Sequence, residues 1–174
     1  MHDKVADWIR EIVTRRSRVL GVALCQRAKF EGWLKFELAE RALSEGALVE
    51  FEPALPVGGR ADLAVLRNGV STFIELKTAN FNWRVPGIEN KTRPVTMNVA
   101  GIIEDARKLR AVGGVIAAIF FPIPKGDERW RRYVQRIEDE AQLTLFDTNC
   151  AVVVDLPACP ADVLLLTATV EGGS

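Results

Sequence analysis

The dipeptide Asn68-Gly69, set between the alternating, β-branched runs 60-RADLAVLR-67 and 70-VSTFIELKTA-79, constrains what this chain can fold into more than any other feature. Both residues tolerate the positive φ that a two-residue type I′ turn demands, so the runs are expected to be antiparallel strands joined by a tight hairpin. The turn also fixes the register. With Arg67 opposite Val70, counting back along both strands brings Asp62 opposite Glu75. Directly opposed side chains have Cβ atoms about 4.5–5.5 Å apart, where like charges repel. A positive group between them is needed, and Lys77 lies on the same face two residues on. On that repulsion alone, Asp62→Asn is expected to leave the protein at least as stable as before.

Side chains alternate along a strand, so the hairpin has two faces. One carries Ala61, Leu63, Val65, Thr72, Ile74 and Leu76 and is almost wholly apolar. The other carries Ala64, Leu66 and Phe73 near the turn, with Asp62, Glu75 and Lys77 gathered at the far end. Apolar residues on both faces imply strands covered on both sides, and charges collected at one end imply a cleft at the margin of that cover.

The neighbouring segments supply that cover. Val5, Trp8, Ile9, Ile12 and Val13 recur at helical spacing within residues 3–16, and a second helix is expected over 29–44, stopped by Gly46. Leu48 to Leu55 reads as a strand. After the hairpin, 80-NFNWRVPGIENKTRPVTMN-98 has no sustained period and two prolines, as a functional or mobile loop would. Asn98 is placed to cap a helix over 99–112, Val115 to Ile123 reads as a strand buried on both faces, and a helix over 127–143 and strands over 151–156 and 163–170 follow. At 174 residues with no repeat or compositional break, a single domain over 1–174 is expected.

Several function classes are excluded or disfavoured. The longest apolar run, Val115 to Pro124, is too short to cross a bilayer, so no membrane partner is expected. Cys25, Cys150 and Cys159 have no metal-type spacing and cannot all pair, which with the absence of a signal peptide points to the cytoplasm. His2 is the only histidine, so neither a histidine base nor a histidine-ligated zinc is on offer. Formal net charge is zero, so attraction to nucleic acid would have to come from local patches. One runs through Arg15, Arg16 and Arg18. Another sets Arg129, Arg131, Arg132 and Arg136 around Trp130 and Tyr133, and each has the alternative reading of a solvated helix face.

Asp62, then twelve residues, then Glu75-Leu76-Lys77, on strands that follow a helix and a first strand, resembles the PD-(D/E)XK phosphodiesterase superfamily, the restriction-endonuclease-like fold. Ala61 stands where the family name has proline. The resemblance implies an α/β fold: a three-layer αβββαβ core over about residues 29–122, its mixed central sheet flanked by helices. An extra N-terminal helix and a C-terminal helix and strands complete the chain. Many members also carry an acidic residue on the first core helix. Within 32-GWLKFELAERALSEG-46 that residue is Glu37, with Glu40 as its rival.

What the resemblance implies chemically is metal-dependent hydrolysis of DNA, by an endonuclease rather than an exonuclease. The cation would be Mg²⁺, with Mn²⁺ as its substitute. Opposed carboxylates suit a hard divalent ion that takes oxygen ligands. Asp62, Glu75 and the backbone carbonyl of Leu76 would bind it, and Glu37 would do so through water or hold a second ion. Lys77 would orient and help deprotonate the attacking water. Arg84, Lys91 and Arg93, with Phe81 and Trp83, suit phosphate contact and stacking, and Arg129 and Arg132 extend the basic surface. The chain's size and helix-first order also resemble Holliday-junction resolvases, which are homodimers. The alternative is a catalytically silent nucleic-acid-binding or assembly module on the same fold, and ordinary strand-end ion pairing of Lys77 would leave no site at all.

Overall fold

The computed structural model describes residues 2–26, 28, 30–88, 94–145, 150–156 and 159–173. It is an α/β protein built on a six-stranded mixed sheet. In chain order the elements are α1 (His2–Arg15), α2 (Ser17–Cys25), α3 (Glu31–Ser44), β1 (Leu48–Phe51), β2 (Leu63–Arg67), β3 (Val70–Asn80), α4 (Val95–Leu109), β4 (Gly114–Pro124), α5 (Arg131–Ala141), β5 (Ala151–Val154) and β6 (Ala161–Val170). The strands lie in the order β1-β2-β3-β4-β6-β5. Only β3 and β4 run parallel, as two strands joined through a helix can, and the other neighbours are antiparallel.

The hairpin has the expected turn and register. Asn68 and Gly69 take φ of 52° and 77°, and Arg67 pairs with Val70 and Leu63 with Ile74. Strand alternation then sorts the core into two layers. Ile74, Leu76, Val115, Ala117, Ile119 and Phe121 pack with α1, α2 and α3, while Ala79, Ile116, Ala118 and Phe120 pack with α4 and α5. Burial of successive residues along β4 explains its continuous apolar run. Gly114 opens that strand because any Cβ there would meet the Phe73 carbonyl oxygen at 2.4 Å.

Four sequence expectations change. Residues 17–25 form α2, a separate short helix held by Leu20 and Leu24, where only a basic run was legible. The strand from Leu48 ends at Phe51, because Glu52 turns to φ 51° ahead of Pro53. Asn98 does not cap α4; the helix starts at Val95, and the buried Asn98 amide donates to the Asn80 carbonyl at 3.0 Å. The aperiodic segment after β3 is packed where it is described: Phe81, Trp83, Val85 and Ile88 are all buried. Among the described residues no helix is long and apolar enough to cross a membrane.

Candidate active site

The site begins where β2 and β3 part. Their ladder ends at Leu63 and Ile74, and the Asp62 N–H donates to the Ile74 carbonyl, one residue short of the register. Asp62 instead stays with β1, its carbonyl accepting from Glu52. Among the described residues β3 runs on through Asn80 with β4 as its only strand partner, which leaves one edge of residues 75–80 open there. Along a strand, alternate residues aim their backbone polar groups at the same side. Leu76 and Thr78 face the open edge, and side chains replace the missing strand. Asp62 Oδ2 accepts the Leu76 N–H at 2.7 Å. Glu31 Oε2 accepts the Thr78 N–H at 3.2 Å and the Thr78 hydroxyl at 3.4 Å. The carbonyl of Leu76 lies along this same edge.

Two helices deliver charge to the edge from opposite layers. From α3, Glu31 and Lys35 lie one turn apart, and Lys35 Nζ sits 2.5 Å from Asp62 Oδ1. From α4, Asp105 Oδ2 holds Lys77 Nζ at 2.6 Å, and Lys108 Nζ pairs with Glu75 Oε1 while also donating to the Arg60 carbonyl. The Lys77 stem passes the Cβ-less face of Gly101 on α4. Glu75 is buried at 6% exposure. Burial pushes its carboxyl up to about 7, against the pull of the Lys108 ammonium and with help from the charges of Asp62 and Asp105. Burial pulls Lys77 down, but Asp105 outweighs it and holds the ammonium above its ordinary range. Lys35 behaves likewise: burial lowers it and Asp62 more than restores it.

Asp62 is therefore not paired opposite Glu75 as the hairpin register predicted; it reaches β3 through its carboxylate, on the N–H of Leu76, the residue between Glu75 and Lys77. Glu37 is not with them. It lies further along α3 beside Arg16 Nε at 3.4 Å and Arg15 at 3.9 Å, in a groove that Glu40 also lines. Neither of these two is the helix carboxylate at the edge; Glu31 is. Its signals in the sequence were faint: an acidic residue in the first turn of a helix and a lysine four residues on. Asp105 and Lys108 gave no signal beyond the charged face of an amphipathic helix, and their roles depend on how α4 is rotated against the sheet.

The basic residues separate as well. Arg84 is exposed and has no ion pair among the described residues. Lys91 and Arg93 lie outside the described residues. Arg129 is held by Asp127 and lies 4.8 Å over the Trp83 ring, and Arg132 donates to the Tyr133 hydroxyl at 2.7 Å. Arg131 and Arg136 pair with Glu128 and Glu140. Much of this patch is a solvated, internally neutralised helix face. Phe81 and Trp83 stand in a ring cluster with Phe120 and Tyr133 rather than as exposed stacking platforms.

Among the described residues no group of three or more Asp, Glu, His or Cys side chains is arranged to hold a metal ion. A cation here would rest on two carboxylates and backbone oxygen. The chain matches no family model, and no curated protein or solved structure matches it.

Proposed function

We propose that this chain hydrolyses phosphodiester bonds in DNA with a divalent cation, as an endonuclease of the PD-(D/E)XK type on a restriction-endonuclease-like core. One observation carries the reading: at the open edge of β3 the Asp62 carboxylate sits on the Leu76 backbone, flanked by the buried carboxylate of Glu75 and by Lys77. The order α3-β1-β2-β3-α4-β4 supports the fold assignment, since it runs in the αβββαβ sequence of that family.

The donor chemistry fits Mg²⁺. Asp62, Glu75 and the Leu76 carbonyl offer hard oxygen ligands, and Glu31 stands beside them. Bound there, such an ion would supply a polarised water and neutralise charge on the phosphate. The residues themselves set the rest. Lys35 and Lys108 neutralise the carboxylates in the absence of a cation and would give way to one. Lys77 keeps its proton, so its part is to hold the attacking water and donate to phosphate oxygens as charge develops, rather than to accept the proton. Arg84, and the segment that carries Lys91 and Arg93, would meet flanking phosphates. A cytoplasmic, homodimeric form belongs to the same proposal; the exposed Leu48 and Phe51 on edge strand β1, with Phe36 of α3 beside them, favour association.

The second reading, a silent binding or assembly module, is favoured by one fact: both carboxylates already have lysine partners. Incubating the protein with supercoiled plasmid, single-stranded and branched DNA, with Mg²⁺, Mn²⁺ or EDTA, separates the two. Cleavage that needs metal and is lost in Asp62→Asn and Lys77→Ala is expected. Retained binding with no cleavage of any substrate selects the silent module.

A further inference from the structure

Cys25 ends α2, and Cys159 precedes β6 on the far side of a 134-residue separation, yet their sulfurs lie 2.9 Å apart. That is about 0.9 Å beyond the ~2.04 Å of a disulfide bond. Packing holds them there. Cys159 is buried in the core layer of α1, α2 and α3, and Cys25 packs on the same layer beside Leu24. The Cys159 N–H donates to the Leu156 carbonyl at 3.0 Å. Cys150 packs on the opposite layer of the sheet, and so is kept from either sulfur.

We infer that Cys25 and Cys159 are a redox-modification site, closing a reversible intramolecular disulfide that ties the end of α2 to the segment before β6. Glutathione disulfide is a sufficient oxidant. Half-exposed Cys25 is the sulfur it reaches: the thiol loses its proton, attacks one glutathione sulfur, and the departing glutathione thiolate takes up that proton. The Cys159 sulfur then attacks Cys25 in the mixed disulfide and expels the second glutathione, to which its own proton passes. Two protein thiols and one glutathione disulfide become one protein disulfide and two glutathiones, with two electrons moving from protein to glutathione. Burial, then the hydrogen bond and charge of Cys159, push the Cys25 thiol up to about 11. Thiolate is the reacting form, so the first step should quicken about tenfold per pH unit between roughly pH 7 and 9.

The test uses the full folded chain. After exposure to glutathione disulfide, acid quench, denaturation and alkylation, intact mass is expected to show one alkylated thiol in place of three. No glutathione should be retained, and peptide mapping should join the segments containing residues 25 and 159. Closing so long a loop should raise Tm by on the order of 10 °C, reversed by dithiothreitol. The shift should be absent in Cys25→Ser and persist in Cys150→Ser; Cys159→Ala, which should also lack it, serves if Cys25→Ser fails to fold. Three alkylatable thiols after oxidation, a stable glutathione adduct at Cys25, a bridge through Cys150 or between molecules, or an unchanged Tm would each overturn the inference.

Discussion

Glu75→Gln should change how stability depends on pH, and in a direction that runs against the usual behaviour of a carboxylate. Glu75 is buried and its carboxyl is raised from 4.5 to about 7, burial being the largest cause. Between those values the unfolded chain has given up a proton that the native protein still holds. Where the native state binds more protons, stability falls as pH rises. The stabilisation is thus fully present below about pH 4.5 and gone above about pH 7. Each pKa unit corresponds to about 1.4 kcal/mol, so the span amounts to about 3 kcal/mol. Glutamine is neutral throughout and cannot titrate. The assay is urea unfolding of both proteins at four pH values from 5 to 8 in EDTA, taking wild type minus variant at each pH so that other groups cancel. The Lys108 ion pair forms only as Glu75 ionises, so its loss is already contained in the pH-dependent difference. The difference should fall by most of 3 kcal/mol as pH rises. A difference that stays level, or climbs, refutes the account of Glu75 as a carboxylate destabilised by its surroundings.

Other substitutions probe different parts of the arrangement. Asp62→Asn should cost the metal-free protein about 1–2 kcal/mol in urea unfolding, contrary to the gain expected from repulsion alone, because it strands the partly buried Lys35 ammonium. Gly114→Ala should cost at least about 3 kcal/mol by the same assay, since its Cβ would press on backbone of β3 that cannot yield. Glu31→Gln should reduce metal-dependent cleavage at least tenfold while Glu37→Gln, the position that the sequence favoured over Glu40, leaves it within about twofold. Arg84→Ala should weaken DNA binding for all sequences alike and lower its salt dependence by about one unit of slope.

How far the sequence could be read follows from which interactions are local. The hairpin was legible because Asn68-Gly69 fixes a register, and register decides which side chains share a face. The buried strand β4 was legible because a strand covered on both sides must be apolar at successive positions. Helix α2 was not: nine residues give only two anchors, Leu20 and Leu24, with Gly21 between them. The partners at the site were hidden for a related reason. Whether Glu31 or Glu37 meets the sheet depends on the rotation of α3, and Lys35, Asp105 and Lys108 come from elements far apart in sequence. The changed expectation for Asp62→Asn has the same origin. Repulsion between two carboxylates was visible in the hairpin, but the lysines that neutralise them arrive from two other helices.

The central claim, that Asp62 and Glu75 are cation ligands and Lys77 is not, is tested most directly by unfolding wild type, Asp62→Asn, Glu75→Gln and Lys77→Ala with and without Mn²⁺. A ligand that binds only the native state stabilises it by about 2.7 kcal/mol at a hundredfold excess over its dissociation constant. Wild type should show a gain of that order, both carboxylate variants far less, and Lys77→Ala as much or more, since it keeps the ligands and loses a neighbouring positive charge. An equal response from all four proteins would contradict the claim and leave the charges at the β3 edge as ion pairs of the fold.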